Sequence, residues 1–286
     1  MIAELISTKK ILDVIVTIPC IMYSFGGVWS ATLGYLLLDV IGWRMFILLT
    51  SLPFFIPPIY MLHFCIEGKS APTTGQIKNK QDQTVKRETT TVPNFVARTK
   101  KLGLFSFVIM FQGWITILLV PRLIQVFKIK EAEPNSDCSV TVTQGKELLL
   151  LTLVNFAAVL GRLFIHFTRK KFSFRKSQVI VALLNVASFG GMLAQDHLAV
   201  IVTTNFVVKF LFGISAMSMS YILYDVDYFG AERFALGSSV ALAVGLVGGA
   251  VGPAMVAFVP LLPVIITALV LSTLQIMVVL SMTEVH

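Results

Sequence analysis

The feature that most constrains this chain is a series of long runs nearly free of charge, each long enough to cross a bilayer as a helix. A hydrocarbon core about 30 Å thick takes roughly 20 mostly apolar residues per helical span. Such runs lie near residues 11–39, 45–66, 102–127, 148–168, 177–195, 198–224, 235–258 and 260–282. The sequence therefore predicts an all-α, polytopic membrane bundle of about eight transmembrane helices. Only the turn signals around Pro253, Pro260 and Pro263 separate the last two runs. Composition fits the same solvent: 56% of 286 residues are hydrophobic, 13% are charged, and the mean hydropathy is +0.84. A soluble globular domain is less apolar than this. Residues 1–10 lack the basic start, apolar centre and small-residue cleavage site of a signal peptide, so the first span is expected to direct its own insertion.

Charge then sets orientation. The net charge is +8, but the basic residues sit between apolar runs and form no separate basic domain with interleaved aromatics, which argues against nucleic acid as a partner. With both ends on one side, that face collects Lys9, Lys10, eight basic residues from Lys69 to Lys101, five from Arg169 to Lys176, and Arg233. The opposite face collects only Arg44, Arg122, Lys128, Lys130 and Lys146, so both termini are expected in the cytoplasm. The stretch 67–101, rich in Lys, Gln, Thr and Pro, is too polar to fold alone and reads as a cytoplasmic basic linker. It divides the chain into residues 1–66 with two spans and 102–286 with six. The three cysteines, Cys20, Cys65 and Cys138, provide no disulfide framework and no metal-ligand spacing, and neither a metal nor a cofactor is expected. There is no metalloprotease helix motif, nucleophile elbow or phosphate loop, so the chain does not read as an enzyme.

Several segments resemble one family when taken in order. Gly42-Trp43-Arg44 stands between two apolar runs, the second carrying Pro53, Pro57 and Pro58. It resembles the turn between the fifth and sixth helices of major facilitator superfamily transporters, notably the synaptic vesicle glycoprotein 2-related and organic ion transporter-like proteins. Glu4 to Lys10 lies where that family carries its loop between helices four and five. The basic turn Thr168-Arg169-Lys170-Lys171 resembles the one that falls midway through the family's second half. The segment from Tyr224 to Gly237 resembles the loop between helices ten and eleven, and Lys209 to Gly213 the start of the tenth helix. The resemblance spans most of the chain, although no single motif is intact. It implies a partial major facilitator fold equivalent to helices 5 to 12, with residues 1–66 the remnant of an N-terminal bundle, 102–286 a complete C-terminal six-helix bundle, and the first four helices missing. It also implies a plasma or intracellular vesicle membrane.

The candidate chemistry lies where polar groups enter apolar runs. Lys209 is about eleven residues into its span, roughly 16 Å deep, where a charge costs about 2.5–3.5 kcal/mol. It is either a contact for an anionic substrate or carboxylate partner, or an amine whose long stem reaches backbone carbonyls or the interface. Arg162 lies roughly 9 Å from the inner end of its helix, within reach of the cytoplasm. Gln112, Trp114 and Asn155 are candidate substrate contacts, since transporters bind near the midplane, and equally candidate helix-packing groups. Asp227, Arg233, Arg169 and Lys170 are the gate latch that the resemblance implies, the alternative being a solvated loop. The acidic partner expected near Ile165 or His166 is absent. Gly237, Ala241, Gly245 and Gly249 recur every four residues, a smooth face for helix association or sliding.

Taken together, these features lead to the expectation of a transporter-like protein that moves a small organic ion or solute by alternating access within a lipid bilayer. The alternatives are a non-transporting membrane scaffold or binding protein, and a truncated form of a longer transporter.

Overall fold

The computed structural model describes residues 9–51, 94–131, 144–169, 171–193, 198–230 and 232–282. Every element among them is an α-helix: α1 (Lys9–Ser51), α2 (Phe95–Glu131), α3 (Gln144–Thr168), α4 (Phe174–Gly191), α5 (Leu198–Leu223), the single turn α6 (Val226–Phe229), α7 (Phe234–Phe258) and α8 (Leu261–Ser281). Six helical segments are long and apolar enough to cross a membrane: Val16–Leu37, Phe95–Leu123, Leu149–Thr168, Ala199–Leu223, Phe234–Phe258 and Leu261–Ser281. The protein is a multi-pass, all-helical membrane bundle.

The expected count of eight spans is not reached among the described residues, for two physical reasons. α4 replaces the run expected at 177–195. It starts earlier because the Ser173 side chain accepts the Lys176 amide as an N-cap, and its 18 residues include Arg175, Lys176, Gln178 and Asn185, which leave it less apolar than the other spans. The run expected at 45–66 is described only to Ser51, as the short apolar segment Val40–Ser51, and the rest lies outside the described residues. Gly42, with φ of 72°, breaks α1 at the Gly-Trp-Arg turn, a conformation that glycine adopts without steric penalty. The described residues fall into two units, 9–32 with 94–282 in one and 33–51 in the other. Within the expected linker, residues 67–93 lie outside the described set, whereas the chain from Phe95 onward is already helix α2.

In the larger unit, α2 packs against α7, α5 and α8, α3 packs on α5, and α4 packs on α8 and α5. Missing side chains allow these approaches. A Cβ on Gly245 would lie 3.0 Å from Ser106 Cβ, and one on Gly248 would lie 2.3 Å from the Phe107 carbonyl oxygen. The small-residue face of α7 is thus occupied by α2 within the chain, and Gly237 accommodates the Phe229 ring. Basic side chains satisfy the last carbonyls of two helices. Arg122 donates to Val259 O at 2.7 Å beyond α7, Lys101 donates to the carbonyl of Ser281, and Arg175 to that of Met282, at the end of α8.

The interior is layered. Of the two largest apolar clusters among the described residues, one gathers Leu102, Phe105, Phe212, Met219, Phe229 and Val279, and the other gathers Phe111, Ile115, Phe189, Ile201, Val208 and Val264. Between them along the helices lie Gln112 on α2, Asn185 on α4, Lys209 on α5, and Ser272 and Gln275 on α8, all buried. That polar layer midway along the spans positions the candidate site.

Candidate functional site

Two neighbouring residues of α2 connect the polar layer. The Gln112 amide donates to Ser272 Oγ at 2.8 Å, while its oxygen accepts from Asn185 Nδ2 at 3.3 Å, joining α2 to α8 and α4. The next carbonyl, Gly113 O, accepts Lys209 Nζ at 2.6 Å and Thr116 Oγ1 at 2.8 Å. Gly113 is required for this geometry, because a Cβ there would fall 2.2 Å from the Phe212 ring, the ring on which the Lys209 amine also rests at 5.2 Å. Next along α5 toward its C-terminus, Gln178 of α4 donates to Ser218 Oγ at 3.0 Å and accepts from Ser215 Oγ at 2.8 Å. Asn185, Ser272, Gln178, Ser215, Ser218 and Gln275 are functional candidates that sequence reasoning missed. The signal was present, since Asn185 and Gln275 are amides flanked by apolar residues within apolar runs, as Gln112 and Asn155 are.

α3 and α5 cross at a pair of glycines. A Cβ on Gly161 would sit 2.0 Å from Phe210 O, and one on Gly213 would sit 2.3 Å from Ala158 O. Arg162 directly follows Gly161 and Lys209 directly precedes Phe210, so both cations flank the same helix crossing. Their surroundings differ. The burial cost of Lys209, about 2.5–3.5 kcal/mol, is comparable with the roughly 1.5–3 kcal/mol of a charge-assisted hydrogen bond to Gly113 O. Arg162 carries the same kind of cost with 4% exposure, but its Nε has no hydrogen-bond partner. Its guanidinium lies over the Tyr23 ring at 5.4 Å, a contact worth roughly 0.5–2 kcal/mol. The Lys209 charge is largely compensated inside the protein, whereas the Arg162 charge is not.

Of the sequence-predicted contacts, then, Gln112 and Lys209 engage the polar layer through neighbouring residues of α2, and Arg162 lies at the α3–α5 crossing next to Gly161. Trp114 and Asn155 lie elsewhere. Trp114 is 36% exposed and lies against Gly249 of α7, and half-buried Asn155 stands beside Gly27 of α1. Three of the expected gate residues are described. Arg169 stacks on the Tyr221 ring at 3.9 Å, Arg233 lies over Phe95 at 5.4 Å, and Asp227 is exposed in α6, where its amide donates to the Asp225 cap at 3.0 Å. Lys170 lies outside the described residues. Where an acidic partner was expected, His166 instead meets Thr17 Oγ1 at 3.1 Å and Tyr221 OH at 3.3 Å, and Thr17 and Tyr221 are themselves 2.9 Å apart.

Tyr228 in α6 lies against Arg98, which donates to its carbonyl at 3.0 Å and sits 5.6 Å from its ring centroid. Burial pushes the phenol up to about 12, against a smaller opposing pull from Arg98. A raised phenol favours the neutral form in the folded state, so its contribution to stability is complete below the ordinary value near 10 and is lost as pH rises toward 12. Ultraviolet titration of the protein is expected to show a late tyrosinate component that Tyr228→Phe removes. A titration curve identical in that variant would refute the assignment.

Among known proteins, no family model matches this chain and no curated protein matches its sequence.

Proposed function

We propose that this chain is a transporter-like membrane protein of the major facilitator type, moving a small organic ion or solute by alternating access, with both termini in the cytoplasm. The observation that supports this reading best is the buried polar layer carrying Lys209 between two apolar clusters. Secondary transporters place their sites near the midplane, and an ionisable residue inside the membrane is a functional candidate by default. On this reading Lys209 and Gln112 face the solute. The experiment is uptake into proteoliposomes of a labelled panel of organic anions, cations and neutral solutes. Saturable uptake of at least one class is expected, reduced about tenfold or more by Lys209→Ala. Absence of saturable uptake across the panel would sink the transport reading.

A second reading, a non-transporting scaffold or binding protein, is favoured by the Lys209 amine resting on Gly113 O, where it ties α5 to α2. In that case Lys209→Ala would lower thermal stability with no uptake to lose.

A further inference from the structure

We propose that Arg162 and Lys209 together form a site for an oxyanion, the carboxylate or phosphate of an organic molecule, at the crossing of α3 and α5. The proposal rests on the transporter reading for a ligand reaching this interior, and adds the ligand's chemical class.

The first support is charge balance. None of the six candidate spans contains an Asp or Glu, so the spans offer these two cations no carboxylate. Arg162 is 4% and Lys209 3% exposed, and a buried cation without a counter-charge is an electrostatic vacancy for an anion. Geometry is the second. The Tyr23 ring covers a face of the guanidinium, and the unbonded Nε belongs to the planar edge that binds carboxylate or phosphate through paired hydrogen bonds. The third is the state of the lysine. Its amine is held by a neutral carbonyl, so an incoming oxyanion exchanges one acceptor for a stronger one and breaks no ion pair. The Gly161–Gly213 contact sets both cations beside one helix crossing, where a single anion would reach both. The order of the two residues is thereby changed. Arg162 is the anchor, and Lys209 is the second charge.

The test uses the purified full chain in phosphatidylcholine nanodiscs and measures equilibrium binding of benzoate, benzyl alcohol and benzylamine. Saturable binding of benzoate above both other probes is expected, weakened about tenfold or more by Arg162→Gln and by Lys209→Gln, and partly retained in Arg162→Lys. Because the buried Arg162 Nε lacks a hydrogen-bond acceptor and no carboxylate in the spans offsets its charge, Arg162→Gln should keep or raise the thermal midpoint without benzoate and lose the upward shift that benzoate induces. A purely structural arginine would lower the midpoint instead. Adding phosphatidylglycerol to the discs separates the sources of oxyanion: competition with benzoate that depends on Arg162 assigns a lipid headgroup, and undiminished benzoate binding assigns a soluble ligand. Equal benzoate binding by wild type and Arg162→Gln, benzylamine binding as tight as benzoate, or no Arg162-dependent binding of either anion would overturn the proposal. Uptake without Arg162-dependent binding would remove the oxyanion assignment and leave transport standing. Binding without uptake would do the reverse.

Discussion

Gly161→Leu is expected to lower the thermal midpoint of the purified protein by roughly 2–12 °C, or to yield only aggregate, because it drives α3 and α5 apart. The nearest obstacle to a Cβ at Gly161 is the Phe210 carbonyl oxygen at 2.0 Å, and the reciprocal contact at Gly213 is the Ala158 carbonyl at 2.3 Å. Neither is the end of a flexible side chain, so the strain falls on two helical backbones, and overpacking of this kind costs about 1–3 kcal/mol or more. Gly213→Leu should match it. The control is Gly190→Ala in α4, where nothing lies within 4 Å of the added Cβ. There the gain in helix propensity, about 0.5–1 kcal/mol, predicts a slightly raised midpoint. Equal behaviour of Gly161→Leu and Gly190→Ala in a melting series would show that the α3–α5 contact does not hold the bundle together.

The second large effect is a difference in sign between two buried glutamines. Gln112 bonds to both Ser272 and Asn185, and Gln112→Leu breaks both bonds, leaving the Asn185 amide, whose oxygen already lacks a partner, without this acceptor. Interhelical hydrogen bonds within membranes average about 0.6 kcal/mol each, and an orphaned buried amide costs about 1–3 kcal/mol. A loss of about 1–3 kcal/mol is therefore expected, read from unfolding in mixed detergent. Gln275 is as fully buried, yet neither its nitrogen nor its oxygen has a partner. Gln275→Leu removes an unsatisfied amide and should leave stability unchanged or raise it by about 1 kcal/mol. If both substitutions destabilise equally, the polar layer is stabilised by something other than the Gln112 bonds.

The candidate site was partly legible before any coordinates. Gln112, Arg162 and Lys209 stood out because a polar or charged group in an apolar run carries a cost wherever the helix turns, and that cost depends on depth, which can be counted along the chain. The carbonyl contact of Lys209 was among the readings open to a long, flexible amine, but the acceptor, Gly113, lies 96 residues away and could not be named. Trp114 and Asn155 satisfied the same criterion of depth, yet they point toward α7 and α1 rather than into the layer. The difference is rotational: hydropathy measures position along a helix axis, while its azimuth depends on which neighbour packs against it.

What the sequence by itself determined is the solvent and the secondary structure. Long uncharged runs must be helical in lipid, where every backbone amide needs an internal partner, and most expected helix positions coincide with those described. What only the tertiary structure decided is which polar groups meet. The glycines at 161, 213 and 248 permit backbone approaches, and Gly113 a close approach of the Phe212 ring, that no periodicity specifies; in the resulting packing Gln112 pairs with Ser272, Lys209 rests on Gly113 and Arg162 has no hydrogen-bond acceptor at Nε. The physical reason is that burial cost is a property of one residue and its depth, whereas compensation belongs to a pair, and pairs form only when helices from distant parts of the chain come into contact.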